Sequence, residues 1–156
     1  MKNASGLNRG LMAEARYLLD TSALFALFQE EPGAHEVEGI LRESRAGKAK
    51  TLVSFVSFVE VFYRLIQTVG VERAQETYAN MKMLPIEKVG SEEPLELEAG
   101  ELKAKYRLSL ADAFIAATAR LHHAKLVHKD PELEALATAV SLMPLPYKQK
   151  KIQHPI

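Results

Sequence analysis

An apolar run that ends on a carboxylate, Tyr17-Leu18-Leu19-Asp20-Thr21-Ser22, is the most informative segment of this 156-residue chain. Its three apolar residues are too few for a helix, which favours a short strand covered on both faces. The two hydroxyl residues after Asp20 are good helix N-caps, and the apolar residues 23–28 predict a first helix. Because ligands bind beyond the carboxyl ends of the strands in α/β sheets, Asp20 is expected at a functional site.

The composition is that of an ordinary globular protein, and it excludes several classes of protein. The absence of cysteine excludes both a disulfide scaffold and a thiolate catalyst, and it fits a cytoplasmic protein. No apolar run is long enough for a membrane span, and the N-terminus lacks the apolar core of a signal peptide. The formal net charge is +0, so a polyanion would have to be held by local basic residues or metal ions.

The chain divides into three parts by pattern. Residues 1–11 mix Asn, Ser and Gly with Lys and Arg, and we expect a disordered N-terminal extension, with Met12 as the natural start. Residues 12–147 form the predicted domain, and the lysine-rich residues 148–156 form a basic C-terminal tail. No internal repeat or linker divides the central part, so one domain is predicted.

Within the domain, short apolar strands alternate with amphipathic helices. Further strands are predicted at 50–53, 84–89, 125–128 and, as a short edge strand, 141–145. Further helices are predicted at 34–46, 54–70, 72–83, 91–106 and 109–124, with a last one opening at Asp130-Pro131. This alternation predicts an α/β protein with three layers, α/β/α, around a central parallel sheet of four to five strands.

Four acids fall at the carboxyl end of a strand or in the first turns of the following helix: Asp20, Glu60, Asp112 and Asp130. Each has a simple structural explanation. Asp20 and Asp130 could be turn or cap residues, while Glu60 and Asp112 follow a serine by three residues, as in a capping box. Parallel strands, however, put all four positions on one edge of the sheet.

Converging carboxylates require a compensating charge. Two of them about 4 Å apart repel by roughly 4 kcal/mol at an effective dielectric constant near 20. Several can converge only around a cation or with raised pKa values. Oxygen ligands without cysteine or paired histidine suit Mg²⁺ or Mn²⁺. Such ions support phosphoryl transfer and would supply the positive charge that a neutral chain lacks for a nucleic-acid backbone.

Four segments resemble the ordered motifs of a PIN domain, and among PIN proteins they look most like the VapC-type toxin ribonucleases. The segments are Leu18–Leu24, Ser57–Glu60, Leu108–Ala119 and Leu126–Asp130. The resemblance extends from Arg16 to about Leu145. It implies a metal-dependent RNA endonuclease that leaves a 5′-phosphate and a 3′-hydroxyl, is usually a homodimer and is often inhibited by a small antitoxin.

The resemblance also implies roles for individual residues. The four acids would be the metal-binding and catalytic set, and Thr21 and Ser22 would support it. The family usually has a small hydroxyl residue two positions before the fourth acid, where this chain has His128. This difference concerns how the fourth acid or a bound water is held. Glu132 and Glu134 are candidates to assist that acid.

The charged and apolar residues indicate where RNA, and the antitoxin that the resemblance implies, would bind. Arg16, Arg120 and Lys129 are candidates for a phosphate-binding rim, although scattered solvated charge explains them equally well. We expect an antitoxin segment to pack along an apolar groove between the early helices. The residues that suggest this groove are Leu24, Leu27, Phe28, Phe58 and Phe62.

Two other functions remain open at this point. A phosphatase with Asp20 as covalent nucleophile would usually carry a second acid two residues later, where this chain has Ser22. A PIN-like RNA-binding or regulatory module without catalysis would not need the complete acid set. A metal-dependent ribonuclease that cleaves RNA phosphodiester bonds is therefore the leading prediction.

Overall fold

The computed structural model describes residues 14–147, so the predicted extension at 1–11 and the tail at 148–156 lie outside the described residues. The strands are β1 (Ala15–Leu19), β2 (Ala49–Ser54), β3 (Glu87–Val89), β4 (Lys125–His128) and β5 (Leu142–Pro144). The helices are α1 (Thr21–Phe28), α2 (Ala34–Arg45), α3 (Phe55–Val69), α4 (Val71–Met83), α5 (Glu93–Lys105) and α6 (Leu110–Leu121). A 3-10 helix, Pro131–Leu136, follows β4.

The five strands form one parallel sheet in the order β3-β2-β1-β4-β5, within the described part of the chain. This confirms the predicted parallel sheet flanked by helices. The chain builds β2 and β3 on one side of β1, and then crosses to place β4 and β5 on the other. The strand order therefore reverses between β1 and β4, which makes the carboxyl end of that strand pair the expected ligand-binding crevice.

Two apolar layers pack against the two faces of the sheet. Leu18, Leu52 and Leu126, which are in register, pack with residues of α5 and α6. The next residue of each strand joins the opposite layer, with α1, α2 and α3. Because side chains alternate along a strand, Asp20 and His128 follow in phase with the first layer. Asp20, just after β1, and His128, the last residue of β4, therefore lie at the carboxyl end of this strand pair on the α6 side of the sheet.

Two predicted elements differ in detail from the structure. Residues 84–86 were expected to be extended strand, but β3 begins only at Glu87 because Pro85 has no N–H for the ladder and β2 is the only neighbour. The helix predicted after Asp130 is the short 3-10 turn rather than an α-helix. Among residues 14–147, no helix is long and apolar enough to cross a bilayer.

Candidate active site

Asp20 lies at the point where β1 passes into α1. Its backbone N–H donates to the carbonyl of Val127 in β4 at 3.0 Å, which fixes it across the β1–β4 crevice. Its carboxylate is the N-cap of α1 and accepts the Ser22 N–H at 3.2 Å and the Ser22 hydroxyl. The residue is 4% exposed. The predicted strand–carboxylate–helix junction is therefore present and rigidly held.

The pKa of Asp20 is raised to about 6, chiefly by burial. The hydrogen bonds from Ser22 oppose this shift, and the nearby carboxylate of Asp112 adds to it. A buried carboxyl group that titrates near neutrality next to a second acid is typical of a functional site.

Glu60 is joined to α1 through a pair of hydroxyl groups. Thr21 Oγ1 lies 2.8 Å from Glu60 Oε1 and 2.9 Å from Ser57 Oγ. Because a hydroxyl has one proton and an ionised carboxylate can only accept, the Thr21 proton goes to Glu60, and Ser57 donates to Thr21. The capping-box explanation of Ser57 is wrong, since Ser54 caps α3 by accepting the Val56 N–H at 3.3 Å.

Asp112 stands in the first turn of α6 and is half-buried. Ser109 is the N-cap and accepts the Asp112 N–H at 3.1 Å, as the capping-box pattern predicts. Burial raises the pKa of Asp112, the Ser109 bond opposes this, and the carboxylates of Asp130, Glu60 and Glu132 raise it further. Acids from α3, α6 and the segment after β4 thus act on one another electrostatically.

Asp130 follows β4 and caps the 3-10 helix, where its Oδ1 accepts the Glu132 N–H at 2.9 Å. Its own N–H donates to Nδ1 of His128 at 3.2 Å. His128 is fully buried, and burial lowers its pKa. An imidazole nitrogen therefore occupies the acceptor role that a hydroxyl residue would fill at this position. Nε2 of His128 has no hydrogen-bond partner among residues 14–147.

Ser22 links the two halves of the crevice. Its hydroxyl donates to Asp20 and accepts the backbone N–H of Lys129 at 2.8 Å. The two residues are 107 positions apart in sequence. Ser22 thereby ties the end of β1 to the end of β4, consistent with its predicted supporting role.

The three predicted phosphate-binding residues lie in different places. Lys129 is beside the acids, where its Nζ is paired with Glu31 at 3.1 Å. Arg16 lies near the start of β1, opposite Lys50 of β2. Arg120 is in the last turn of α6, 3.2 Å from Glu98, whereas Asp112 is in the first turn. The structure therefore does not bring Arg16 and Arg120 to the acidic edge.

Sequence reasoning missed Arg64, which is exposed on α3. Its guanidinium carbon lies 4.2 Å from the centroid of the Phe25 ring. The available signal was its spacing, because Arg64 follows Glu60 by four residues and so lies on the same face of α3.

The predicted apolar groove is present in another position. Leu24 is fully buried in the core, so the prediction that it lines a groove was wrong. A groove of about 470 Å³ instead lies between α3 and α4. Its apolar lining includes Phe55, Phe58, Val59, Phe62 and Tyr78.

The chemistry of this donor set fits a hard divalent cation. The four acids offer only oxygen, and the raised pKa values of Asp20 and Asp112 arise in part from neighbouring carboxylates, a repulsion that a divalent cation would relieve. In the part of the chain that the structure describes, no three Asp, Glu or His side chains form a ready-made metal cage.

A parallel α/β sheet with acids at its β1–β4 switch point defines the class of this domain. The sequence pattern of the PIN domain matches residues 17–139, and the chain belongs to the PIN domain family. A comparison with curated proteins gave no significant match.

Several solved structures share this fold at low sequence identity. A DNA-bound VapBC complex from Salmonella typhimurium matches with a TM-score of 0.68 and 15% identity, covering 83% of this chain and 98% of that one. VapBC2 from Rickettsia felis, bound to promoter DNA, matches with a TM-score of 0.67 and 16% identity, and the match covers 84% of this chain and 99% of that one. A Mycobacterium tuberculosis VapC described as a sarcin-ricin loop cleaving toxin matches with a TM-score of 0.59 and 21% identity, and the match covers 80% of this chain and 95% of that one.

Proposed function

We propose that this protein is a Mg²⁺- or Mn²⁺-dependent endoribonuclease that hydrolyses RNA phosphodiester bonds. The observation that carries the proposal is that Asp20 and Asp130 follow the two strands of the switch point, while Glu60 and Asp130 raise the pKa of Asp112, and Asp112 raises that of Asp20. Membership of the PIN family adds support.

The four acids would hold the cation, and their partners would fix the position of each acid. Ser22 orients the Asp20 carboxylate, Thr21 holds Glu60, and His128 holds the backbone at Asp130. When bound, a divalent cation lowers the pKa of water and stabilises charge on the leaving oxygen. Asp20, whose pKa is about 6, must lose its proton to bind the cation, so cation binding would release protons and strengthen as the pH rises.

The test is cleavage of single-stranded RNA by the full chain with Mg²⁺, with Mn²⁺ and with EDTA. Cleavage is expected only with the cations, and Asp20→Asn and Asp112→Asn should each lower the rate by at least about 10²-fold, since each removes a charged ligand. Glu72→Gln, on the exposed surface of α4, is the matched control and should be unchanged. Cleavage that persists in both site variants would contradict the proposal.

Calorimetry with Mn²⁺ separates metal binding from catalysis. We expect a binding isotherm for the wild type and for Glu72→Gln, and weaker binding for Asp112→Asn. RNA binding without cleavage under any cation would favour the alternative of a PIN-like module without catalysis.

We further propose that the protein is the toxin of a toxin–antitoxin pair and that it forms a homodimer. One structure with the same fold is described as a toxin–antitoxin complex from Klebsiella pneumoniae, and another as a member of the VapBC family of toxin–antitoxin systems. The apolar α3–α4 groove can receive a partner segment. Expression of the chain alone should arrest growth, and co-expression of the adjacent reading frame should restore it. Normal growth with wild-type protein would contradict the toxin role, and light scattering would test the dimer.

A further inference from the structure

A cavity of about 360 Å³ adjoins the acidic site. Ser22 lines it and also bonds Asp20, so the cavity and the acids share one wall. The rest of the lining comes from α1, the α1–α2 turn, α3 and the segment after β4. These lining residues include Phe25, Gln29, Glu31, Arg64, Lys129 and Tyr147.

Lys129 and Glu31 form an ion pair in one wall of this cavity. Their charged atoms are 3.1 Å apart, and the two side chains are 7% and 20% exposed. Their charges offset one another in a partly desolvated setting, where the attraction is stronger than at an open surface. Among the described residues that line the cavity, Arg64 is the charged side chain outside this pair.

Arg64 is held in position by an aromatic ring. Its guanidinium carbon lies over the ring of Phe25, a core residue that is 7% exposed, at 4.2 Å from the ring centroid. This cation–π contact holds the guanidinium beside the cavity without using any of its N–H donors. Among residues 14–147, no carboxylate forms an ion pair with Arg64.

We propose that this cavity is a phosphate subsite for single-stranded RNA, in which Arg64 binds the phosphate of a nucleotide next to the scissile bond. The inference rests on the proposed nuclease function and deepens it. A guanidinium is planar and can donate two parallel hydrogen bonds to a phosphate.

The charge distribution explains why such a subsite is needed. The acids repel an RNA backbone, and the chain as a whole has a formal net charge of +0. Arg16 and Arg120 are at the other edge of the sheet. Arg64 lines the same cavity as Ser22, which bonds Asp20. Arg64 can therefore anchor the RNA strand beside the acids without neutralising them.

The subsite can be tested by RNA binding without turnover. The full chain carrying Asp112→Asn is titrated against a short fluorescein-labelled single-stranded RNA of mixed sequence, and binding is followed by fluorescence anisotropy. Arg64→Gln should weaken binding by about tenfold, the loss expected for a charge-assisted contact. It should also flatten the slope of log K against log salt concentration by about 0.7, the value for one phosphate on a single strand.

Two further variants make the result specific. Arg73→Gln, the same change at an exposed position of α4, should leave both the affinity and the salt slope unchanged. Arg64→Lys keeps the charge without the planar fork, and it should retain the salt slope while losing part of the affinity. Thermal unfolding of each variant checks that Arg64→Gln has not disturbed the packing on Phe25.

The outcomes distinguish the subsite from the nuclease activity. If Arg64→Gln and Arg73→Gln bind RNA equally well while the wild type still cleaves RNA, the subsite is overturned and the nuclease proposal stands. If Arg64→Gln loses RNA binding but the wild type cleaves nothing, the phosphate contact of Arg64 is supported, while the nuclease proposal and the placement of that phosphate beside a scissile bond both fail. If Arg64→Gln weakens only the binding of the co-expressed partner protein, the cavity is a protein contact and the RNA subsite is overturned.

Discussion

At the scale of single residues, Asp20 caps a helix with a carboxyl group whose ionisation is disfavoured by burial. It caps α1, yet its buried carboxyl group has a pKa of about 6 against an ordinary value of 3.8. Between these two pH values the folded state binds more protons than the unfolded state, so stability decreases as the pH rises through this window. The ionised carboxylate therefore destabilises the metal-free protein at pH 7 and favours cation binding.

The Asp20→Asn variant should show this effect directly. Asparagine keeps the N-cap but cannot ionise, so the metal-free variant should be more stable than the wild type at pH 7, by up to about 3 kcal/mol. The difference should shrink as the pH falls from 6 to 4. Urea unfolding in EDTA across this pH range measures it, with Glu72→Gln as the control. A variant that is less stable than the wild type at pH 7 would contradict this account.

His128 provides a second prediction at this scale. His128→Leu removes the acceptor of the Asp130 N–H and should weaken Mn²⁺ binding and cleavage, because an unmet buried donor costs about 1–3 kcal/mol and loosens the fourth acid. His128→Asn places an amide oxygen near the position of Nδ1 and should retain most of the Mn²⁺ affinity. Calorimetry compares the two, and equal affinities would show that the hydrogen bond has no positioning role.

At the scale of helices and strands, the helix starts organise the site. Ser109 and Asp130 cap their helices as the sequence pattern predicts, and these caps also place Asp112 and Asp130. The capping explanation of these acids is therefore compatible with the functional role proposed for them. The Thr21–Ser57 contact joins residues 36 positions apart, which is why local pattern pointed to a capping role for Ser57 instead.

The link between α1 and α3 can be tested with isosteric changes. Thr21→Val removes the hydroxyl that holds Glu60 and should lower both the free energy of unfolding, by about 1–3 kcal/mol, and the rate of RNA cleavage. Thr21→Ser keeps the hydroxyl and should preserve most of the rate. Urea unfolding and a cleavage assay measure the two effects, and full activity in Thr21→Val would show that Glu60 needs no such support.

At the scale of the whole molecule, strand phase and alternation were enough to predict the parallel sheet and to place Asp20 and Asp130 just after β1 and β4. The positions of Arg16, Arg120 and Arg64 were not predicted. Arg16 and Arg120 lie at the ends of their strand and helix that face away from the acids, and Arg64 is placed by its contact with Phe25. These placements are set by tertiary packing. Charge type alone could not separate residues on opposite edges of one sheet.

Cation binding should stabilise the whole fold in a pH-dependent way. Mn²⁺ binds the native acids but has no comparable site in the unfolded chain, so it should raise the melting temperature. The increase should be larger at pH 7 than at pH 5, because protons compete for Asp20, whose pKa is about 6, at the lower pH. Thermal unfolding with Mn²⁺ and with EDTA measures this, and an increase that is equal at both pH values would contradict it.

The central position of β1 has a consequence for biosynthesis. β1 cannot pair with β4, its second neighbour in the sheet, until β4 has been translated. The Ser22 hydroxyl likewise cannot bond the Lys129 N–H until 107 further residues have been added. A nascent chain shorter than this has no β1–β4 crevice and no fourth acid. The nuclease activity proposed for this protein would therefore require that β4 and Asp130 have been translated.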